Sequence, residues 1–179
     1  NSFTWDIPEF FNIGVDICDK WALKQKRLAL INETEDGNVE TYTFQDLREL
    51  SNRLANGFQA NGITKGDRIG ILLPQCPETA IAHIAVYKIG AVAVPLFTLF
   101  GTDALAYRLS DSAAKALVTD AANLPKIMEI RDDLPHLETI LVTGGETPDD
   151  VLAFQETIEK GASDFKPEIT RSDDPALII

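Results

Sequence analysis

Residues 66–96, GDRIGILLPQCPETAIAHIAVYKIGAVAVPL, read as a strand, a buried helix and a second strand. Gly66-Asp67 turns the chain into Arg68–Leu73, which is apolar on both faces from Ile69 onward, the pattern of a parallel strand covered by helices on both sides. Pro77 and Glu78 suit the first turn of the following helix, the proline by its fixed φ and the carboxylate by its charge against the helix dipole. The body of that helix, Ala80–Val86, is apolar almost all round and is expected to be deeply packed. Ala91–Leu96 then forms a strand that stops at its proline.

Strand and helix continue to alternate beyond this unit. Thr102 is expected to cap a helix carrying Leu105 and Leu109. Ala116–Thr119 reads as a strand, Ala121–Arg131 as a helix, Thr139–Val142 as a strand and Val151–Glu159 as a helix. Gly161–Asp174, charged and interrupted by Pro167, reads as an exposed connection. Ala176–Ile179 begins a further strand. Upstream, Val15, Cys18 and Trp21 recur at helical spacing within the aromatic and acidic opening, which also holds Phe3, Trp5, Phe10 and Phe11. Arg27–Ile31 and Glu40–Phe44 flank the turn-like Glu35-Asp36-Gly37-Asn38, a hairpin signal. Thr43–Asp46 resembles a capping box, followed by the stripe Phe44, Leu47, Leu50, Leu54, Phe58 and by Gly62 as the C-cap.

The fold class that follows is α/β, a three-layer α/β/α arrangement with a mainly parallel sheet preceded by a β-hairpin. Residues 1–26 form an N-terminal extension and residues 27–179 one subdomain.

The chain has 179 residues, 16 Lys plus Arg and 28 Asp plus Glu, for a formal net charge of −12. That balance repels polyanions and argues against nucleic acid or an anionic membrane as partner. Only two cysteines occur, Cys18 and Cys76, in no CxxC arrangement, so a reducing cytoplasm is expected and neither a disulfide framework nor a zinc site. No apolar run reaches the ~18–20 residues of a membrane span.

Catalytic candidates are few, and each has a simpler reading. His83 lies inside the apolar helix and reads as a packed histidine; His136 reads as a surface residue. Cys76 sits at a helix N-terminus, where a thiolate is favoured, yet no base accompanies it, and a structural thiol is expected. Asp132-Asp133, Asp149-Asp150 and Asp173-Asp174 read as solvated ends. Gly144-Gly145 follows a strand but lacks any phosphate-loop frame and reads as a turn. No catalytic residue and no metal ligand is therefore assigned. One loop stands apart: Phe97–Gly101 lies past the carboxyl end of a strand, where ligands of open α/β sheets gather. It either plugs the top of the core or meets a ligand.

Taken in order, several segments resemble the AMP-forming acyl-CoA synthetases. Thr41–Leu47 is similar to that family's early TY-x-EL segment, Tyr87–Leu96 to its KAGA-x-x-VP segment, and Leu54–Phe58, Gly62–Ile69 and Leu105–Val118 fall in the usual order between and after them. The segment from Pro95 to Gly101 looks most like short- and medium-chain acyl-CoA synthetases. There an F-G-G-F loop touches the nucleotide end of CoA, so the resemblance assigns a CoA contact to Phe97, Thr98 and Leu99. Thr98 and Leu99 stand where that loop has glycines, which removes the close backbone approach that glycine permits.

The resemblance implies a parent enzyme that uses ATP, Mg2+ and CoA to activate a short- or medium-chain carboxylic acid. It also implies that the family's phosphate loop follows a strand such as Asp174–Ile179. The 179-residue chain is accordingly expected to be a truncated N-terminal piece, inactive by itself, binding none of these cofactors and prone to self-association through an exposed sheet edge. The competing expectation is a non-enzymatic, flavodoxin-like module that binds a small ligand or a partner.

Overall fold

The computed structural model describes residues 4–23, 26–34 and 36–179. Strands β1 (Leu28–Glu33) and β2 (Val39–Thr43) pair antiparallel, with Leu30 opposite Tyr42 and Ile31 opposite Thr41. The expected hairpin is therefore present; Glu35 of its turn lies outside the described residues. A five-stranded parallel sheet follows in the order β4-β3-β5-β6-β7, built from β3 (Arg68–Leu72), β4 (Val92–Pro95), β5 (Ala116–Asp120), β6 (Thr139–Thr143) and β7 (Leu152–Ala153). The helices between them are α3 (Pro77–Lys88), α4 (Thr102–Asp111), α5 (Leu124–Glu129) and, after β7, α6 (Phe154–Lys160). Helix α2 (Phe44–Ala60) links the hairpin to β3.

Alternation along each strand divides the apolar residues between two cores. Ile69, Ile71, Ala93, Val118 and Leu141 pack with Leu54 and Phe58 of α2, Ile81 and Ala85 of α3, and Phe154 and Ile158 of α6. Leu72, Val94, Leu117, Ile140 and Val142 pack with Leu105 and Leu109 of α4 and with Leu124 and Ile127 of α5. This is the three-layer arrangement expected from strands apolar on both faces. Gly70 has a steric reason: a Cβ there would lie 2.7 Å from a methyl of Leu117 and 2.9 Å from one of Leu109.

Local signals account for most helix ends. At the start of α2 the Thr43 hydroxyl accepts from the Asp46 amide while the Asp46 carboxylate accepts from the Thr43 amide, the reciprocal box expected there. Gly62, at φ +77°, ends that helix in the left-handed conformation that a side chain disfavours. Elsewhere the ends move. The N-cap of α4 is Gly101, with Thr102 as its first residue and no side-chain cap bond. Helix α5 begins at Leu124 rather than Ala121, because the Asp120 carboxylate takes the Asn123 amide at 2.7 Å and turns the chain first. The first residues of the expected 151–159 helix are drawn into β7, which pairs with Leu141 and Val142. Beyond Asp174, Leu177 bridges Ala93 in parallel, so the sheet continues outside β4.

The stretch expected to be an exposed connection is docked on the body, and the opening segment packs on it as its helical spacing implies. The stretch 161–174 hands its carbonyls to α2: Asn52 donates to Ser163 (2.9 Å), Asn56 to Ala162 (2.8 Å) and Arg53 to Gly161 (3.0 Å). In the opening segment a π-helical turn, Val15–Asp19, runs into α1, Lys20–Ala22. Asn12 donates to the carbonyls of Tyr87 (3.0 Å) and Glu168 (3.0 Å), and Thr170 donates to Phe11 (2.7 Å). Deepest lies Lys88, fully buried, its ammonium 2.7 Å from Asp19 and 2.6 Å from Asn52 Oδ1.

Cys18 is 1% exposed, and burial is the main cause that pushes its thiol pKa from 9.0 to about 11, with Asp19 adding to the shift and Lys88 and Arg48 opposing it. The folded state thus favours the neutral thiol, and this contribution is complete below pH 9.0 and lost as pH rises to about 11. The expected size is about 2–3 kcal/mol across that window. Urea unfolding of Cys18→Ala should show a shallower loss of stability between pH 9 and 11 than the parent chain. Parallel pH curves for the two proteins would contradict the assignment.

Candidate functional site

In a parallel sheet the loops after the strands collect at one edge. Here they are 73–76 after β3, 96–101 after β4, 120–123 after β5 and 143–145 after β6. The connections reverse at β3, whose two neighbours are β4 and β5, and ligands of open parallel sheets gather at the carboxyl ends beside such a reversal.

The 96–101 loop leaves β4, which neighbours β3, at this edge. Leu96 is buried and closes the core beneath it, and Phe100 packs partly against the same core. Phe97 and Leu99, by contrast, are 60% and 80% exposed. Of the two readings of this loop, core plug or contact surface, Phe100 follows the first while Phe97 and Leu99 lie open to solvent. The Phe97 ring meets Phe100 edge-on with centroids 5.9 Å apart, and the Arg108 guanidinium lies 4.2 Å from the Phe100 ring. Lys126 of α5 donates to the Thr98 carbonyl at 2.8 Å and to Asn123 Oδ1 at 2.9 Å. Asn123 in turn donates to Asp120 at 2.9 Å. The loop is thus tied to α5 through a chain of polar groups, and an aromatic face with two cations beside it is presented at the carboxyl edge.

Sequence reasoning missed Asp120, Asn123 and Lys126. The available signal was Asp-x-x-Asn at a strand end before a Pro-containing helix start, a side-chain-capped turn.

The remaining candidates are structural. Cys76 is held above its ordinary pKa, chiefly by burial, and its sulfur lies 3.3 Å from the Thr79 hydroxyl. A half-buried thiol in contact with a hydroxyl and held in its neutral form suits the structural reading rather than a nucleophile. His83 is half-buried against Tyr87, 3.3 Å from its hydroxyl, and burial lowers its pKa. His136 is exposed. Gly144 and Gly145 both have positive φ and form a turn. Asp173 and Asp174 are the exceptions among the paired acids, since Asp173 meets Arg171 at 3.1 Å and Asp174 binds Lys65 at 2.7 Å. Among the described residues no group of three or more His, Cys, Asp and Glu could hold a metal ion.

A parallel α/β/α sheet with an aromatic loop over its carboxyl edge defines a ligand-binding class of fold, one shared by enzymes and by simple binding modules. The comparison with known proteins decides between them. A sequence profile described as AMP-binding enzyme matches residues 18–179, and the chain belongs to that family. It is 30% identical to the mitochondrial acyl-coenzyme A synthetase ACSM4 of Rattus norvegicus, covering 96% of this chain and 31% of that protein. To the acetyl-coenzyme A synthetase of Bacillus subtilis (strain 168) it is 43% identical over 108 residues, 60% of this chain and 18% of that one. The Brucella canis acyl-CoA synthetase superposes with a TM-score of 0.88 at 28% identity, over 98% of this chain and 32% of that structure. The anthranilate CoA ligase AuaEII, in complex with anthranoyl-AMP, gives 0.87 at 27% identity, over 96% and 32%. The chain therefore spans about a third of the length of relatives such as ACSM4, where the share is 31%. No helix among the described residues is long and apolar enough to cross a membrane.

Proposed function

We propose that this chain is the N-terminal scaffold of an enzyme that joins a short- or medium-chain carboxylic acid to CoA. In the first step a carboxylate oxygen attacks the α-phosphorus of ATP and pyrophosphate leaves. In the second, the CoA thiol attacks the acyl carbon and AMP leaves. The thiol proton departs to solvent or a base, so AMP and pyrophosphate are released one for one. ATP and CoA are substrates in this reading. No residue described here is assigned to Mg2+, and no step is derived through it. The two free cysteines suit a reducing compartment, and the cytoplasm is proposed.

The observation that carries the reading is the exposed loop Phe97–Leu99 at the carboxyl edge, held by Lys126. Its aromatic face is suited to a planar base, and Arg108 and Lys126 beside it to phosphate groups. We assign the nucleotide end of CoA to Phe97, Thr98 and Leu99. In the full-length enzyme, Phe97→Ala should raise KM for CoA about tenfold, the size of a lost base–aromatic stack. ATP–pyrophosphate exchange, which needs no CoA, should be unchanged. An unchanged KM for CoA, or an equal fall in both half-reactions, would remove the assignment.

The isolated chain is proposed to be inactive, because it spans 31% of a relative such as ACSM4 and no catalytic residue is assigned on it. Leu177, Ile178 and Ile179 are exposed apolar residues beside β4, where Leu177 bridges Ala93 at the sheet edge. Such an edge invites pairing, and self-association of the isolated chain is proposed from it. Sedimentation velocity should show mass rising with concentration; a monomer throughout a hundredfold range would contradict this.

A further inference from the structure

The sequence Ala-Asn-Gly occurs twice, at Ala55-Asn56-Gly57 inside α2 and at Ala60-Asn61-Gly62 at its end. An Asn-Gly pair is chemically vulnerable, because glycine has no Cβ to keep its backbone nitrogen away from the asparagine side chain. The fold treats the two pairs differently. The Asn56 amide nitrogen donates to the carbonyls of Asn52 (3.0 Å), Ala162 (2.8 Å) and Asp164 (2.9 Å), sharing its protons among them. Gly57 is buried in mid-helix, where a Cβ would meet the Thr157 methyl. Asn61, by contrast, is exposed and is the C-cap residue, at φ −96° and ψ 21°. Gly62 is also exposed, at φ +77°, with nothing within 4 Å of a Cβ position. Its amide donates to the Gln59 carbonyl at 3.0 Å, and the Asn61 amide nitrogen to the Gly57 carbonyl at 2.9 Å. Both bonds belong to the last turn of a helix, where local opening costs least.

We propose that Asn61 is a site of spontaneous deamidation, and that the helix shields Asn56 from the same reaction. When the last turn opens, the Gly62 backbone nitrogen loses its proton to hydroxide and attacks Asn61 Cγ. A bond from that nitrogen to Cγ closes a cyclic imide, the Cγ–Nδ2 bond breaks, and the side-chain amide takes up a proton and leaves as ammonia. Water then opens the ring at either carbonyl. The sum is asparagine plus water giving ammonia plus aspartate or isoaspartate, with nothing oxidised or reduced. Either product alters the joint between α2 and β3. Aspartate sets a carboxylate at the C-terminus of α2, against the negative end of the helix dipole. Isoaspartate inserts a methylene into the main chain between the Phe58 carbonyl and the Ile63 amide, which are bonded at 3.0 Å. It also shifts the Gly62 carbonyl, which accepts from Lys115 at 2.8 Å. The site is separate from the Phe97 loop and does not depend on the ligase reading.

The test is to hold the native protein at mildly alkaline pH and follow both asparagines by peptide mass spectrometry, with enzymatic methylation to count isoaspartate. Because the two pairs share the same Ala-Asn-Gly sequence, each is the other's control, and only the fold distinguishes them. Conversion at Asn61 is expected to run about tenfold faster than at Asn56 while the protein is folded. In concentrated urea, where α2 is gone, the two rates should converge. Asn61→Gln keeps an amide at this exposed position but disfavours ring closure, so it should abolish the isoaspartate signal there and leave the urea midpoint unchanged. Two results would overturn the proposal. One is an Asn61 that stays intact in the folded protein for as long as the unfolded protein takes to convert. The other is an Asn56 that converts in the folded protein as fast as Asn61.

Discussion

Replacing Lys88 by methionine should destabilise the chain by about 3–5 kcal/mol, the range found when one member of a buried ion pair is removed. The side chain has no exposure, and its ammonium meets Asp19 at 2.7 Å and Asn52 at 2.6 Å. Methionine fills a similar volume but leaves both oxygens without a donor. The Asp19 side chain retains 13% exposure, so some water can reach it, and the lower end of the range is expected. The pair is not itself a large source of stability. Burial is the main cause that lowers the Lys88 pKa, and it outweighs the opposing pull of Asp19. Taking the charge out of water therefore costs more than the attraction returns, and the double change Lys88→Met/Asp19→Asn should recover much of the loss. Equilibrium urea unfolding decides it: a loss below 1 kcal/mol in the single variant, or a double variant no better than the single, would contradict the role given to the pair. The same variant should loosen residues 9–22, since the Asp19–Lys88 pair ties them to α3, and proteolysis there should quicken.

Phe58→Ala should cost about 3–5 kcal/mol, for a different reason. Phe58 is fully buried on α2, in the core shared with α3, α6 and the sheet. Its removal loses the transfer energy of a large ring and leaves a cavity that a helix packed on two sides cannot collapse to fill. The helix end is also fixed here, because the Phe58 carbonyl accepts from Ile63 (3.0 Å) and Asn61 (3.1 Å) and holds the turn in place. In urea the midpoint should fall while the slope stays the same, since the surface exposed on unfolding is nearly unchanged. A loss under 1.5 kcal/mol would mean that the ring is not the packing centre described.

Phe58 and Lys88 mark the limits of what the residues alone disclose. Phe58 belongs to a stripe at helical spacing, and periodicity is enough to place it in the core. The same stripe is silent on Ser51 and Asn52, which are also buried, because α2 is covered on a second side by α6 and the stretch after it. Lys88 follows an apolar helix in a position where a lysine ordinarily reaches solvent at the C-terminus. Its burial depends on Asp19 and Asn52, which are distant in sequence, and no local pattern carries that information. The alternation of strands and helices was legible because each strand is apolar on both faces. The two-residue β7 was not, since so short a strand has no period. At the site, the exposed loop was found from its place after β4, while its tether through Asp120, Asn123 and Lys126 required the fold to bring α5 beneath it.

The central proposal is a carboxylic acid–CoA ligase as the parent. The most direct measurement is product analysis of the full-length enzyme with ATP, CoA and a series of straight-chain acids. The account predicts AMP and pyrophosphate in equal amounts, acyl-CoA formation that needs all three substrates, and no turnover by the 179-residue chain alone. Release of ADP and phosphate, or no thioester from any carboxylic acid tried, would contradict it.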